Sequence, residues 1–349
     1  MILYWVAVLA ISTLLYVLLD GFDLGIGILF AGARSGAVRE SMMSAITPIW
    51  DGNETWLVAT GVVLWGAFPV VYATLLSAFY LPLLLMLAGL ILRGVAFEFR
   101  HRTERWRWLW DTSFAGGSLV ATFTQGLTVG ALVEGLPISN GHYVGGDFGW
   151  LSAFALLCGI GLCIGYALLG ASCFVRKCDG ELRDLGYRLI RRLSLSLLVF
   201  LIAVFVIALA ENLRVMERWL ERPYLLVFPA IGVLAATMLA SGIRRRRDAA
   251  PFPMVAIIFA AAFGTLAISF WPYMIPFSIT IDQAAAPHSS LAFMFWGAGL
   301  FVFPLTLLYT AVNYTVFKGK ISPAEAHYQR ETSHERSAQI STATKEGLS

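Results

Sequence analysis

The chain has 349 residues, of which 58% are hydrophobic and only 13% are charged. A soluble domain carries about 25% charged residues, and the apolar runs of this chain reach the roughly 20 residues that span a bilayer, so a soluble fold is excluded. The net charge of +3 does not indicate nucleic-acid binding, because the basic residues lie in short loops between apolar runs. A transmembrane barrel would show alternating segments of about ten residues, whereas these runs are continuous. We therefore predict an all-α polytopic membrane protein.

About nine transmembrane helices are predicted, forming a single transmembrane domain over residues 1–317. The first apolar run has no basic segment before it and is too long for the apolar core of a signal peptide, so we expect a permanent span. A tight turn is expected near residues 68–74, and residues 318–349 are expected to form a polar cytoplasmic tail. The predicted spans are 3–30, 53–72, 75–97, 112–134, 150–174, 193–210, 224–243, 253–273 and 289–317.

The distribution of basic residues predicts the orientation of the chain in the membrane. Of the 25 lysines and arginines, 21 fall in the C-terminal tail and in the loops that share its side. Only Arg214, Arg218 and Arg222 fall on the opposite side, and Arg93 lies within a span. Basic loops stay in the cytoplasm, so we expect a cytoplasmic C-terminus and, with an odd number of spans, an N-terminus outside.

Ionisable residues of four predicted spans lie at one depth, near the cytoplasmic surface. A charged residue costs about 2.5–3.5 kcal/mol at the centre of a membrane helix, so such residues are informative. Carboxylates at this depth are typical of ion or proton relays. The residues are Asp20, Asp23, Asp51, Glu54, Arg93, Glu98 and Asp111.

Several of these residues also have a structural interpretation. Asp51 can cap the start of its helix, where the helix dipole stabilises an anion, and the sequence leaves that role and a functional role equally open. Asp20 and Asp23 share one helix face, and pairing with Arg93 or with the DGFDLG backbone is favoured over direct chemistry. For Glu54, one step deeper than Asp51, function is favoured. We expect Arg93 to neutralise one of these acids.

The histidines and cysteines do not indicate a metal site in this chain. None of the five histidines is predicted to lie in the middle of a span, where a bis-histidine haem would need its ligands. The four cysteines form no CxxC pair and are expected to be packing residues. Gln125, near the middle of the fourth span, is expected to form a hydrogen bond between helices.

Three stretches of the sequence resemble subunit II of cytochrome bd-type quinol oxidases. They are LYVLLDGFDLGIGIL from Leu15, PIWDGNETWLVATGVVLWGAFPVVYATLLSAFYLPL from Pro48 and LILRGVAFEFR from Leu90. A further stretch, GDFGWLSAFALLCGIGLCIGYALLGA from Gly146, is similar to the fifth-helix region of the family. The pair DGFDLG and WDGNETW, in this order, is the most specific part of the resemblance.

The resemblance implies a fold of two four-helix bundles, helices 1–4 over about 3–134 and helices 5–8 over about 150–273, plus a peripheral helix over about 289–317. It also implies an enzyme complex that oxidises quinol and reduces oxygen to water. The haems b and d are expected in subunit I, which pairs with this subunit as a pseudo-symmetric heterodimer. A structural quinone and small accessory subunits are further possibilities that the family brings.

In the family, the aspartate of the WDGNE motif lies at the cytoplasmic mouth of a proton pathway, and this role carries over to Asp51. Glu54 belongs to the same motif without a settled role. We therefore predict a haem-free accessory subunit in a bacterial cytoplasmic membrane. It would stabilise subunit I and admit protons through Asp51 and Glu54, with Asp20, Asp23, Arg93 and Glu98 as a supporting cluster.

Two other functions remain open at this stage. Buried carboxylates would equally suit a proton- or cation-coupled secondary transporter, although the sequence lacks the paired, Gly- or Pro-interrupted short spans typical of that class. A purely structural assembly partner is the third possibility. In that case, substitutions of the carboxylates would act only through stability.

Overall fold

The structure is a computed structural model that describes residues 1–100, 103, 105–139, 141–211, 219, 223–317 and 319–320. The predicted tail therefore lies outside the described residues, except for Gly319 and Lys320. The helices are α1 (Ile2–Phe30), α2 (Gly36–Ser44), α3 (Trp50–Ala67), α4 (Pro69–Ala78), α5 (Tyr80–Phe99), α6 (Arg107–Glu134), α7 (Ala153–Lys177), α8 (Gly180–Ala210), α9 (Val227–Arg244), α10 (Pro251–Phe270), α11 (Ile281–Ala284), α12 (His288–Met294) and α13 (Val302–Val316).

Membrane-spanning helices dominate the fold. Within the described residues, eight helical segments are long and apolar enough to cross a membrane, and the bent pair α3–α4 makes a ninth candidate. The last of the eight runs from His288 to Val316 and contains a π-helical stretch, Phe295–Gly299, between α12 and α13. The all-α polytopic fold predicted from the sequence is confirmed.

Two small antiparallel hairpins lie in connections between helices. Strands β1 (Ile138–Ser139) and β2 (His142–Tyr143) lie in the glycine-rich loop between α6 and α7. Strands β3 (Tyr273–Ile275) and β4 (Ile279–Thr280) follow α10. Both hairpins connect helices and leave the helical core uninterrupted.

The connection between the second and third predicted spans differs from the expected tight turn. A helix, α4, fills most of this connection and is bent by 118° from α3. The break falls at Phe68–Pro69, because proline lacks the N–H that a continuing helix needs and its ring clashes with the preceding turn. The predicted span 53–72 is thus wrong at its end, since α3 ends at Ala67.

Helix α8 also differs from its predicted bounds. It begins at Gly180, well before the predicted start at residue 193, and continues for 31 residues. This length exceeds the roughly 20 residues that a bilayer requires. The first turns of α8 carry four of the six basic residues of the predicted loop 175–192, the other two lying in the last turn of α7. These turns are therefore a helical extension on the side that we expect to be cytoplasmic.

The spanning helices fall into two groups of four by their order in the chain, and contacts between the groups are as extensive as those within them. Helices α1, α3, α5 and α6 form the first group, in which α1 contacts α3 and α6, and α5 contacts α6. Helices α7, α8, α9 and α10 form the second, in which α7 contacts α8 and α10, and α9 contacts α10. Helix α7 also packs against α1 and α6, so it joins the two groups.

The crossing of α1 and α7 depends on glycines. A Cβ added at Gly25 would overlap the main-chain oxygen of Tyr166, and one added at Gly170 would lie 2.7 Å from the main-chain carbon of Gly25. Small residues allow membrane helices to approach this closely. The glycines that follow Asp20 in the DGFDLGIG segment thereby hold the acidic part of α1 against α7.

Candidate functional site

A buried ion pair links α1 to α5. Asp20 and Arg93 have side-chain exposures of 0% and 2%, and Nη1 of Arg93 lies 2.7 Å from Oδ1 of Asp20. The second terminal nitrogen of Arg93 lies 3.6 Å from Oε1 of Glu54, whose side chain is 26% exposed. Arg93 thus bridges two carboxylates of different depth, one fully buried and one open to the surface.

A second carboxylate of α1, Asp23, is held by a different partner. Asn53 of α3 donates a hydrogen bond of 2.7 Å to Oδ2 of Asp23 and another of 3.2 Å to the carbonyl oxygen of Leu19. Tyr314 of α13 donates to Oδ1 of Asn53 at 3.0 Å. The amide of Asn53 therefore connects the first, second and last spanning segments at one point.

Asp51 lies at the surface and differs from the expected helix cap. The N-cap position of α3 is Ile49, and Asp51 is an exposed residue within the first helical turn. An anion in the first turn still interacts favourably with the helix dipole. Glu54 follows one turn further along α3, so Asp51, Glu54 and Asp20 form a series of decreasing exposure.

The structure does not bring every predicted residue into this cluster. Glu98 is exposed near the end of α5, whereas the ion pairs of Arg93 go to Asp20 and Glu54. Asp111 belongs to a separate network, in which it accepts hydrogen bonds from Arg39 at 2.8 Å and from Arg100 at 2.5 Å. The predicted convergence of four spans is therefore divided between two sites.

The separate network ties α2 to α5 and α6. Arg100, whose side chain is 1% exposed, also pairs with Glu40 of α2 at 2.9 Å. Arg107 reaches the same oxygen of Glu40 at 2.9 Å. The loop that precedes α3 is thus anchored by charge-assisted hydrogen bonds, which are stronger than neutral ones. This anchoring positions the start of α3 and, with it, Asp51.

A chain of polar side chains continues from Asp20 towards α7. Tyr16 lies one turn before Asp20, and its hydroxyl accepts a hydrogen bond of 2.7 Å from Gln125 of α6. Tyr166 of α7 donates to the side-chain oxygen of Gln125 at 3.2 Å. Gln125 therefore makes the hydrogen bonds between helices that its depth in the span predicts.

A third charged cluster joins the end of α13 to the second helix group. Asp248, between α9 and α10, accepts hydrogen bonds from Arg183 and Tyr187 of α8, and Nζ of Lys320 lies 3.2 Å away. Lys320 also pairs with Asp179 at 2.7 Å. Partial burial acts to raise the pKa of Asp248, but hydrogen bonds from Arg183, Tyr187 and Lys320 outweigh it and lower the pKa to about 2.

The described residues do not fit histidine ligation of a haem within this chain. His142 and His288, the histidines that the structure describes, are both exposed. His101, His327 and His334 lie outside the described residues. Within the described part of the chain, no three His, Cys, Asp or Glu side chains are grouped as metal ligands.

Two members of the site could not be identified from the sequence. Asn53 stands inside the WDGNET stretch, and its place between Asp51 and Glu54 is the only local signal that marks it. Tyr314 is 261 residues away from Asn53, in an apolar helix where nothing distinguishes it from a tyrosine facing lipid. The role of Asn53 follows from the packing of α3 against α1, and that of Tyr314 from the packing of α13 against α3.

The fold and the site together define a class of protein: an all-helical, multi-pass membrane protein with ionisable side chains leading from one surface into its interior. The family model described as cytochrome bd terminal oxidase subunit II matches residues 1–317. The chain belongs to this family. The family resemblance predicted from the sequence motifs is confirmed.

Individual relatives agree with the family match. The chain is 28% identical to cytochrome bd-I ubiquinol oxidase subunit 2 of Escherichia coli (strain K12) over 365 residues, covering 91% of this chain and 94% of the relative. It is 27% identical to cytochrome bd ubiquinol oxidase subunit 2 of Bacillus subtilis (strain 168) over 335 residues, covering 92% and 97%.

A solved structure shows the same fold. The bd oxidase from Geobacillus thermodenitrificans matches with a TM-score of 0.74 and 17% identity, covering 90% of this chain and 98% of that chain. The protein is an accessory subunit of a bd-type quinol oxidase, an oxidoreductase complex of the respiratory chain in the bacterial inner membrane. The transporter alternative has no support.

Proposed function

We propose that this subunit performs two tasks in the oxidase: it stabilises the haem-bearing subunit I, and it provides a cytoplasmic entry path for protons. The observation that supports the second task is the series from exposed Asp51 through Glu54 to buried Asp20, with Arg93 bridging the last two. Ionisable residues that lead from a membrane surface into the protein interior are characteristic of proton relays.

Unpaired buried atoms suggest how protons continue beyond Glu54. Oδ2 of Asp20, Oδ1 of Asp23 and Nη2 of Arg93 are buried and have no hydrogen-bond partner among the described protein groups. Buried polar atoms without protein partners are commonly satisfied by ordered water. We expect water molecules between these three side chains, and such molecules would provide the proton carriers that the side chains alone do not.

Each residue has a distinct part in this proposal. Asp51 exchanges protons with the cytoplasm, and Glu54 transfers them inward through water. Asp20, Asp23 and Arg93 set the electrostatic field around Glu54, since Arg93 counters the buried negative charge. Glu98 is exposed and lies outside the ion pairs of Arg93, and it would add negative charge near the entrance.

The proposal assigns the redox cofactors to the partner. Haems b and d would be bound by subunit I, in a pseudo-symmetric heterodimer with this chain, while quinol is the substrate of the complex. The exposed positions of His142 and His288 support this assignment. A structural quinone, small additional subunits and membrane lipids complete the expected partners, with the N-terminus outside and the C-terminus in the cytoplasm.

The decisive experiment substitutes Asp51→Asn and Glu54→Gln in the assembled complex and measures quinol oxidase turnover, proton uptake and the haem absorption spectrum. We expect turnover and proton uptake to fall while the haem spectrum stays normal. Glu181→Gln is the matched control, since Glu181 is an exposed carboxylate in the first turn of α8, which faces the same side.

Two other results would contradict the proton path. Unchanged turnover in both variants, with normal haem content, would show that protons enter elsewhere. Loss of the haem spectrum together with loss of the complex would show that the carboxylates act through assembly, as a purely structural subunit would require.

A further inference from the structure

Four consecutive arginines, Arg244–Arg247, stand at the end of α9, and Arg246 has different neighbours from Arg244 and Arg245. Arg246 adopts a left-handed backbone conformation with φ of 48°, and the N–H of Arg247 donates to the carbonyl oxygen of Gly242 at 3.0 Å. This turn directs Arg246 towards α8, where its guanidinium lies 3.4 Å from Asp184 and 5.5 Å from the ring centre of Tyr187. Arg244 and Arg245 remain on the exposed face of α9.

These two arginines line an open groove of about 390 Å³ together with Thr237, Ala240 and Ser241. The spacing of four and eight residues from Thr237 to Ser241 and Arg245 places the lining on one face of the helix. Among the residues that the structure describes, no carboxylate forms an ion pair with Arg244 or Arg245. The nearby carboxylates are already engaged, Asp184 by Arg246 and Asp248 by Arg183 and Lys320.

The surface of α9 next to the groove is apolar. Val233, Leu234 and Met238 are 65%, 61% and 51% exposed, as expected for side chains that face acyl chains. Met238 and Arg244 are six residues apart, about 9 Å along the helix. The headgroup layer on each side of a bilayer is of similar thickness, about 5–8 Å. The groove therefore lies where a phosphate would be if acyl chains covered the apolar face.

We propose that this groove binds the phosphate group of an anionic membrane phospholipid. Arg244 and Arg245 would supply bidentate hydrogen bonds to the phosphate oxygens, and Ser241 would supply a hydroxyl donor. Basic pockets beside membrane helices on the cytoplasmic side are typical binding sites for acidic headgroups. This inference goes beyond the proposed proton path and involves none of its residues; it shares with the proposed function only the assignment of this end of α9 to the cytoplasm.

The test titrates the purified oxidase complex with phosphatidylglycerol and, separately, with phosphatidylcholine, counting bound lipids by native mass spectrometry. We expect the parent complex to bind phosphatidylglycerol more tightly. The double variant Arg244→Gln with Arg245→Gln should lose about tenfold or more of that affinity, since both guanidinium groups would lose their charge-assisted hydrogen bonds to the phosphate. Arg191→Gln with Arg192→Gln, exposed on α8, makes the same charge change without lining the groove and should alter the affinity by less than about twofold, because charge effects at a distance are screened by salt.

A second variant tests the groove without changing its charge. Ser241→Leu keeps both arginines and fills part of the groove that they line, so we expect it to weaken phosphatidylglycerol binding as well. A normal haem spectrum in each variant checks that the complex is assembled.

Several results would overturn the inference. Equal affinity for the two lipids in the parent would exclude a preference for anionic headgroups, and equal losses in the two double variants would show a diffuse charge effect. Unchanged binding in Ser241→Leu would exclude the groove itself. Inorganic phosphate that binds at the same arginines as tightly as phosphatidylglycerol would assign the groove to a soluble anion.

Discussion

Arg93 of α5 and Asp20 of α1 form an ion pair of 2.7 Å in which both side chains are almost completely buried. Removing two charges from water is costly, and their attraction repays this cost only with close contact and further hydrogen bonds. Glu54 provides a second counter-charge to Arg93 at 3.6 Å. The pair therefore holds two helices together and also places a positive charge between partly exposed Glu54 and buried Asp20.

Replacing Arg93 alone should lower the stability of the complex far more than replacing both Arg93 and Asp20. Arg93→Gln leaves Asp20 as an uncompensated buried charge, at a cost of about 3–5 kcal/mol. We expect a clear fall in the thermal stability of the complex, measured by loss of the haem spectrum on heating. The double variant Asp20→Asn with Arg93→Gln should recover more than half of that loss.

Arg34→Gln is the matched control for Arg93, because Arg34 is exposed. It should leave the stability nearly unchanged. A double variant that is no more stable than Arg93→Gln alone would contradict the uncompensated-charge argument.

The contacts of Asn53 predict graded effects along one hydrogen-bonded series. Asn53→Ala removes the donor to Asp23 and should cost about 1–3 kcal/mol, because a buried carboxylate oxygen is left unsatisfied. Tyr314→Phe removes only the hydroxyl that donates to Asn53 and should cost about 0.5–1.5 kcal/mol. Tyr309→Phe, on the same helix but 59% exposed, should have little effect. Equal stability of the Tyr314 and Tyr309 variants would refute the contact.

The close approach of α1 and α7 predicts a strong effect of a single methyl group. Gly25→Ala would force the added Cβ into the main-chain oxygen of Tyr166, so we expect the yield of assembled complex to collapse. Gly61→Ala is the control, since nothing lies within 4 Å of a Cβ at this helical position. That change should be neutral or stabilising by about 0.5–1 kcal/mol, because alanine favours helix. Normal assembly of the Gly25 variant would disprove the crossing geometry.

The lowered pKa of Asp248 predicts how the stability of the protein depends on pH. The pKa of Asp248 is lowered from the ordinary value of 3.8 to about 2, so its contribution is complete above about pH 4 and is lost as the pH falls towards 2. We expect Asp248→Asn to lower stability by about 1 kcal/mol, since part of the cluster is exposed.

The loss caused by Asp248→Asn should be equal at pH 5.5 and pH 8 and should shrink below pH 4. Heating the parent and the variant in parallel across this range measures it. Asp282→Asn, at an exposed carboxylate after β4, should show no such loss. A difference between parent and variant that changes between pH 5.5 and 8 would rule out the lowered pKa.

The sequence predicted the class of fold and the residue types of the site better than their arrangement. The membrane requires apolar spans and basic cytoplasmic loops, and both are visible as local sequence patterns. The approximate spans and the depth of Asp20, Asp51 and Glu54 could therefore be predicted from the sequence. Helix packing is a tertiary property, and it decided that Arg93 bridges Asp20 and Glu54 while Asp111 pairs with Arg39. Pro69 indicates the bend after α3 in the sequence itself, whereas nothing in the sequence indicated that a separate helix, α4, follows it.

Tyr314 and Asn53 are in hydrogen-bond contact although 261 positions separate them. Since a chain is synthesised from its N-terminus, Asp23 and Asn53 are made long before Tyr314. During biogenesis, the polar contacts around Asp23 are therefore incomplete until the final helix docks against α3. A nascent chain that stalls earlier would carry a half-formed acidic cluster in the membrane, so completion of the hydrogen bonds around Asp23 is coupled to insertion of the last span.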